Sequence, residues 1–188
     1  MKNAHLLKSS FIFILIIFSV KISFSQARSN IGFGFGINKP YSGDYDFGLG
    51  LQVAGTIAIA NQWAIVPYAA YDRINSNAAL VYGPGGVPST PIANINLYHL
   101  GLSLKYYFDR HWFVNAGSMF YMGQGGEDTV GIGVGGFGGL GYNLDLDTHS
   151  TLTFSFNTSI IKVVYNGNGV TPIAGFKVAY VLNFKGNK

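Results

Sequence analysis

Apolar and polar residues alternate along most of the chain from residue 30 onwards. In the segment 46–60, every second residue from Phe47 to Ile59 is apolar apart from Gly55, whereas the intervening positions carry Asp, Gly, Gln, Ala and Thr. This period of two is typical of a β-strand with one apolar face. Each such segment has about the length that a membrane-crossing strand requires, roughly 9–11 residues. The predicted strands are residues 30–38, 46–60, 63–74, 94–108, 112–123, 130–144, 150–164 and 172–184.

The connections between these segments alternate strictly between long and short. The short connections are residues 61–62, 109–111 and 145–149. The long ones, rich in Gly, Pro, Asn and Ser, are residues 39–45, 75–93, 124–129 and 165–171. An antiparallel meander gives this order when the short turns lie at the periplasmic rim and the long loops face outside. The pattern therefore predicts an all-β fold, an eight-stranded antiparallel up-and-down β-barrel with both termini at the short-turn end.

The two faces of each predicted strand differ in size as well as in polarity. One face carries Leu, Ile, Val, Phe and Tyr, whereas the other carries mostly Gly, Ala, Ser and Thr. Eight strands enclose an interior only just wide enough for side chains, so the bulky apolar faces are expected to point towards lipid. This favours a transmembrane barrel. A soluble periplasmic barrel that binds an apolar ligand is the alternative, and it requires the two faces to be exchanged.

Aromatic residues lie at both ends of the outward faces, as the two interfaces of a membrane barrel require. At the short-turn end they are Trp63, Tyr106, Phe108, Trp112, Tyr142 and Phe184. At the long-loop end they are Phe47, Tyr71, Tyr98 and Phe120. Pro67 falls within a predicted strand and has no N–H to donate, so a bulge or a local bend is expected there.

The first 25 residues have the layout of a secretory signal peptide. Lys2 and Lys8 precede an apolar run that ends at Lys21, too short for the roughly 20 residues of a membrane-spanning helix. Cleavage is expected after Ser25, which leaves residues 26–188 as the barrel domain. Three of the 12 basic residues lie in this leader, against 8 acidic residues in the whole chain, so no nucleic-acid partner is expected.

Overall composition also favours a membrane barrel. Only 11% of the residues are charged, whereas soluble domains typically carry about 25%. The chain has no cysteine, so its stability cannot depend on disulfides. Beyond the leader there is no apolar run long enough for a transmembrane helix.

The stretch GIGVGGFGGLGYNL at 131–144 contains the dinucleotide-binding pattern G-x-G-x-x-G twice, beginning at Gly131 and at Gly136. That pattern binds a pyrophosphate only where it follows a strand and opens a helix. Here a turn and another strand follow. We therefore interpret the stretch as a strand whose inward glycines leave room for bulky groups such as Phe113, Met119, Tyr107 and Tyr121.

Several polar side chains are predicted to point into the lumen. The lumen candidates are Asp46, Asp72, His99, Ser103, Lys105 and Lys177. The two lysines have no predicted carboxylate at their own height, because both aspartates lie near the outer rim. Either the lysines reach up to the aspartates and to tyrosine hydroxyls as a plug, or the lumen is wet and attracts anions.

No catalytic, cofactor or metal site is predicted. His99 and Ser103 share a face but lie four residues apart along a strand, too far for a direct hydrogen bond, and no ligand spacing suits a metal. Two outward basic residues, Arg73 and Lys162, lie at the long-loop end, where the phosphates of lipopolysaccharide are expected. Snorkelling of long side chains at an interface is the alternative explanation.

The hairpin LSLKYYFDRHWFVNAGSMFY at 102–121 and the final strand GFKVAYVLNF at 175–184 carry a resemblance to a known family. The chain resembles the small outer-membrane β-barrels of Gram-negative bacteria, of the OmpX and OmpA-transmembrane-domain kind, and in particular the outer membrane protein beta-barrel domain family. Residues of the last strand are similar to an outer-membrane assembly signal, although 185–188 follow it: Phe176, Val178, Tyr180, Leu182 and Phe184.

The resemblance implies insertion into the outer membrane by the assembly machinery, contact with lipid and lipopolysaccharide, and exposure of the long loops. It implies no single activity. Our leading hypothesis is a monomeric, non-enzymatic barrel with a structural role or a role in surface interaction through its outer loops, chiefly 75–93, with an unidentified surface partner. The alternative is a narrow passive channel for small solutes, preferring anions, with Lys105 and Lys177 in its bore.

Overall fold

The computed structural model describes residues 27–41, 45–76, 94–124, 131–161 and 171–184. Eight strands form within these ranges: β1 Asn30–Pro40, β2 Tyr45–Ala58, β3 Trp63–Ser76, β4 Ile95–Tyr107, β5 Trp112–Gln124, β6 Ile132–Asp145, β7 Ser150–Ile161 and β8 Thr171–Asn183. Each strand pairs antiparallel with the next, and β8 pairs with β1 to close the barrel. The predicted eight-stranded up-and-down barrel is confirmed. The predicted leader 1–25, residues 77–93 of the longest loop and Lys162 lie outside the described residues.

The exposed surface of the barrel is its apolar face. Leu102 is 54% exposed, whereas its neighbour Ser103 is 4% exposed and points inward. Leu49 and Leu51 on β2 are exposed in the same way. A wall that presents large apolar side chains outward suits lipid and not water, so the alternative of a soluble periplasmic barrel, which requires the two faces to be exchanged, is excluded. No helix within the described ranges is both long and apolar enough to cross a bilayer.

Aromatic rings contact one another across neighbouring strands at both ends of this apolar belt. At the end that holds the short turns, the ring centroids of Trp63 and Tyr106 lie 4.7 Å apart, and those of Trp112 and Tyr142 lie 5.0 Å apart. At the opposite end Tyr71 and Tyr98 are separated by 5.0 Å. Such girdles are typical of membrane–water interfaces and fix the height of the barrel in the bilayer.

Aspartates organise two of the short turns. In the β4–β5 turn the carboxylate of Asp109 accepts hydrogen bonds from the backbone N–H groups of His111 and Trp112, both at 2.7 Å. In the β6–β7 turn Asp147 accepts from the Ser150 hydroxyl at 2.6 Å and from two backbone N–H groups. The Ser150 hydroxyl and these N–H groups lower the pKa of Asp147. In both turns the aspartate accepts hydrogen bonds from backbone N–H groups at the point where strand pairing ends.

The expected bulge at Pro67 does not form. Partners of β2 and β3 keep one register on both sides of it, from Ala54 opposite Tyr68 to Ile57 opposite Ile65. Pro67 instead lies against Gly55, with its ring carbon 3.8 Å from where a Cβ on that glycine would stand. The register of this pair shifts nearer the outer end, between Tyr45 and Gly48. A bulge there turns side chains from one face to the other.

Inward glycines lie opposite large inward side chains on the neighbouring strand. Gly141 is the ladder partner of Phe113, and a Cβ at Gly141 would overlap the Phe113 ring. The pairs of this kind are Gly101 with Tyr68, Gly133 with Tyr121, Gly135 with Met119, Gly139 with Asn157, Gly50 with Asp72, Gly36 with Lys177 and Gly175 with Asn38. Gly133, Gly135, Gly139 and Gly141 thus give space to side chains of β5 and β7, as the interpretation of that stretch as a strand requires.

Replacing Leu102 with Arg should destabilise the folded barrel by about 2–4 kcal/mol, the cost of placing a cation near the bilayer midplane. The measurement is reversible urea unfolding in lipid vesicles. Leu146→Arg is the matched control, because Leu146 is also 54% exposed but lies in a short turn outside the apolar belt. Equal losses from both variants would contradict the assigned position of the membrane.

Replacing Gly141 with Ala should cost about 1–3 kcal/mol, because the new methyl group overlaps the ring of Phe113 and the wall is already packed. Gly138→Ala, on the same strand but facing outward, should change the free energy of unfolding by less than about 0.5 kcal/mol. Its nearest atom is 3.6 Å from the new Cβ. The same urea titration compares the two, and similar values would argue against the pairing of glycines with large side chains.

Candidate functional site

Apolar side chains fill the outer end of the lumen. Ile74, Ile95 and Ile161 are each 1% exposed and belong to three different strands. The outer apolar layer, as we define it, comprises Tyr45, Ile74, Ile95, Leu97, Met119, Tyr121, Ile161 and Ile173. Six strands contribute to it, so it extends across the barrel and not along one wall. This layer was not predicted from the sequence. Its residues occupy inward positions of the strands, nearer the outer end than the polar inward residues.

Asp72 lies directly beneath the outer apolar layer at the centre of a buried polar network. Its carboxylate contacts the Asn38 amide and lies 2.6 Å from Nε2 of His99. All three side chains are buried. The sequence predicted Asp72 and His99 in the lumen, and the structure brings them together. Asn38 was missed, although it follows Gly32, Gly34 and Gly36 on the inward face of β1.

The two lumen lysines have separate surroundings. Lys177 Nζ donates a hydrogen bond to Oε1 of Gln52 at 2.9 Å, across β1, which lies between β8 and β2. Lys105 Nζ lies 3.7 Å from the centroid of the Phe113 ring and 5.1 Å from that of Tyr107. Neither lysine forms an ion pair with any carboxylate of the described ranges. The ion pairs with aspartates that the plug alternative expected are therefore not formed in the described ranges: Asp72 contacts His99 and Asn38, and Asp46 pairs with Lys39.

Asp46 is not a lumen residue. Its side chain is 58% exposed and forms an ion pair with Lys39 at 3.2 Å on the outer surface. The shift of register between Tyr45 and Gly48 changes the phase of β2, so that Tyr45 is buried in place of Asp46. The alternation of sequence letters continues through this point, which is why the prediction placed Asp46 inward.

Those of the remaining predicted residues that the structure describes face the membrane side. Arg73 is exposed near the outer end of β3, and Lys162 lies outside the described part of the chain. In β8 and just beyond it, Phe176, Tyr180, Leu182 and Phe184 are exposed, and Val178 is half-buried on the same face.

A cavity of about 320 Å³ occupies the lumen below the outer apolar layer. Its wall runs from Leu97 and Ile173, which belong to that layer, down to the exposed Arg28 and Arg110 at the end that holds the short turns. Arg110 forms an ion pair with Asp145 there at 2.8 Å. We call this cavity the lumen pocket. Its upper end is apolar, and its lower end includes charged residues together with Tyr107 and Phe113, which form a second buried cluster with Ala64.

Some buried polar atoms on the pocket wall have no hydrogen-bond partner in the part of the chain that the structure describes. They are His99 Nδ1, Ser103 Oγ, Asn115 Oδ1 and Asn157 Oδ1. Ser103 Oγ is therefore not bonded to His99, and the Asp72–His99 pair is not extended to a serine nucleophile. No group of three or more His, Asp or Glu residues in the described ranges is arranged to hold a metal ion.

The fold is shared with solved bacterial barrels. The outer membrane protein OprG from Pseudomonas aeruginosa superposes with a TM-score of 0.55 at 14% identity, covering 88% of this chain and 100% of that chain. Neisserial surface protein A gives 0.55 at 14% identity, covering 83% and 97%. Ail of Yersinia pestis gives 0.51 at 10% identity, covering 85% and 99%. At these identities the likeness concerns the fold alone. No curated protein matches the sequence.

A family model described as "Putative MetA-pathway of phenol degradation" matches residues 8–170. The match includes seven of the eight strands. Taken with the lipid-facing wall and its aromatic girdles, it identifies an outer-membrane barrel with periplasmic termini. The chain belongs to the family described as Putative MetA-pathway of phenol degradation.

Proposed function

We propose that the protein is a non-enzymatic outer-membrane barrel that does not conduct, with a structural role or a role in surface interaction through its long outer loops. The outer apolar layer carries this proposal. A solute crossing the lumen has to displace Ile74, Ile95 and Ile161, which are almost fully buried. Ions and polar solutes incur a large desolvation penalty in such a layer, so the lumen acts as a closed core and not as a passage.

The asymmetry of the connections supports a role for the outer end. Short segments join the strands at the periplasmic end, whereas β3 and β4 are separated by residues 77–94 at the outer end. Long loops on a rigid scaffold are where binding functions concentrate. The unidentified surface partner is therefore expected at this end, chiefly at 75–93.

A narrow passive channel for small anions is the second candidate. It is favoured by Lys105 and Lys177, two lumen cations without a carboxylate partner in the described ranges. Cations along a bore raise the local concentration of anions. The outer apolar layer opposes this candidate, since it lies between both lysines and the outer surface.

Contacts with the membrane follow from the outward face. Arg73 lies near the outer end of β3, at the height where lipopolysaccharide carries its phosphates, and a guanidinium suits a phosphate through paired hydrogen bonds. We propose the same role for Lys162. The outward residues of β8 that end on Phe184 are proposed to be recognised by the assembly machinery, and residues 1–25 to be removed as a signal peptide.

Folded protein in a planar lipid bilayer should give no discrete conductance steps, because the outer apolar layer interrupts the lumen. Folding is established first by the different migration of boiled and unboiled samples on a gel, since a closed ladder has no edge at which unfolding can start. Anion-preferring steps that reverse their preference in Lys177→Glu would instead establish the channel. Their absence in folded wild-type protein leaves the outer loops as the functional surface.

Lipopolysaccharide should raise the urea midpoint of wild-type protein in vesicles, and Arg73→Gln should reduce that rise by about half or more, because it removes a charge-assisted phosphate contact. Arg110→Gln is the matched control. Arg110 is also exposed, but it lies in a periplasmic turn away from the outer leaflet. An equal rise in wild type and Arg73→Gln would support snorkelling as the reason for this arginine.

A further inference from the structure

Polar residues of the outward wall lie together just beyond the aromatic pair of Tyr71 and Tyr98. Their arrangement follows from the ladder, in which Arg73 is the partner of Asn96 and Asn96 is the partner of Gln124. We call this surface, at the outer ends of β3, β4 and β5, the outer amide patch. It comprises Arg73, Asn75, Asn94, Asn96 and Gln124. The apolar belt therefore ends here in one guanidinium and four side-chain amides.

Internal hydrogen bonds fix the orientation of two of these amides. The backbone N–H of Ser76 donates to Oδ1 of Asn94 at 2.8 Å. The Tyr71 hydroxyl donates to Oδ1 of Asn96, also at 2.8 Å. Because each amide oxygen already accepts a hydrogen bond, the Nδ2 group of each residue is available to donate.

Asn75 and Arg73 add an acceptor and a charge. The Nδ2 of Asn75 donates to the backbone oxygen of Phe47 at 2.8 Å, so its Oδ1 is available to accept. Arg73 is exposed and forms no ion pair with a carboxylate of the described ranges. Asp46, on the same outer surface, is paired with Lys39. The patch thus combines one positive charge with N–H donors and an acceptor, and its own residues include no carboxylate.

This combination suits a headgroup that has both phosphate and sugar. A guanidinium alone satisfies the phosphate of any lipid. Asparagine amides are too short to reach the interface by snorkelling as long side chains do, so their presence here calls for a ligand with hydroxyl and carbonyl groups. The rings of Tyr71 and Tyr98, with centroids 5.0 Å apart, lie on the hydrocarbon side of the patch. They offer contact to acyl chains attached to such a sugar.

We propose that the outer amide patch is a binding site for the phosphorylated glucosamine headgroup of lipopolysaccharide. Arg73 donates to a phosphate, and the Nδ2 groups of Asn94 and Asn96 donate to sugar and acyl oxygens. The Oδ1 of Asn75 accepts from a sugar hydroxyl, and Gln124 extends the row of amides to β5. The site rests on the lipopolysaccharide contact proposed for Arg73 and specifies it, because it requires recognition of the sugar in addition to the charge.

The rise in the urea midpoint of the vesicle-embedded protein tests this site, with lipid A, the phosphorylated glucosamine disaccharide of lipopolysaccharide, as the probe. Phosphatidic acid at equal phosphate content supplies the charge without the sugar. Lipid A should raise the wild-type midpoint at least twice as much as phosphatidic acid does. Asn96→Leu should lose half or more of the lipid A rise and keep the phosphatidic acid rise. Each variant is compared with itself in phosphatidylcholine vesicles, so a change in its intrinsic stability cancels.

Asn61→Leu is the matched control and should keep both rises, because Asn61 is an exposed residue between β2 and β3 at the periplasmic end. Equal rises from the two lipids in wild type would overturn the proposal, as would a full lipid A rise in Asn96→Leu. If Asn96→Leu fails to fold, Gln124→Met tests the same row, with a smaller lipid A rise expected and an unchanged one contradictory. Failure of the underlying phosphate contact differs from these results, since Arg73→Gln would then keep both rises.

Photo-crosslinking in the native outer membrane tests the location independently. A benzophenone amino acid in place of Tyr98, beside the patch, should form a lipopolysaccharide adduct in at least twice the yield obtained in place of Ile160. Ile160 is 52% exposed and lies near the outer end of β7, away from the patch. Adding Asn96→Leu should lower the yield at position 98 and leave that at 160 unchanged. Equal yields at the two positions would indicate a uniform lipid layer around the barrel and would exclude a specific site.

Discussion

Closure of the hydrogen-bond ladder is the constraint on which the rest of the structure depends. In hydrocarbon no water is available to the backbone, so every N–H and C=O group of a strand has to be paired within the protein. The pairing of β1 with β8, from Asn30 opposite Asn183 to Pro40 opposite Ile173, provides this by removing both edges. Pro67 is tolerated because the ladder keeps its register on either side of it.

Closure with eight strands makes the interior narrow, and the narrowness explains the glycines. A side chain as large as Phe113 or Tyr121 fits inside only if it lies flat on the wall, over a ladder partner that has no side chain. The glycine repeat of β6 is therefore a packing device. Every second residue of a strand faces inward, whereas the nucleotide-binding pattern includes one spacing of three residues. Both matches to that pattern therefore depend on the outward Gly136 as well as on inward glycines.

Period-two alternation was sufficient to predict the strands, their order and the lipid-facing side, because each of these depends on neighbouring residues of one strand. It could not predict contacts that depend on how strands are staggered around the barrel. Lys177 donates a hydrogen bond to Gln52, 125 residues away in sequence. The carboxylate of Asp72 contacts His99 and forms no ion pair with either lysine. The phase error at Asp46 has a related cause, since the register shift beside Tyr45 leaves no trace in the alternation of residue types.

The described lumen is chemically divided along its length, with the outer apolar layer at one end and Lys105 and Lys177 below it. An apolar layer needs no solvent, whereas Lys105 and Lys177 lack ion pairs in the described ranges and need water or an anion to offset the cost of placing charge in a low-dielectric interior. Arg28 and Arg110, which line the lumen pocket at the end that holds the short turns, are exposed. Among the residues that the structure describes, the outer apolar layer therefore separates the outer end of the barrel from the polar part of its lumen.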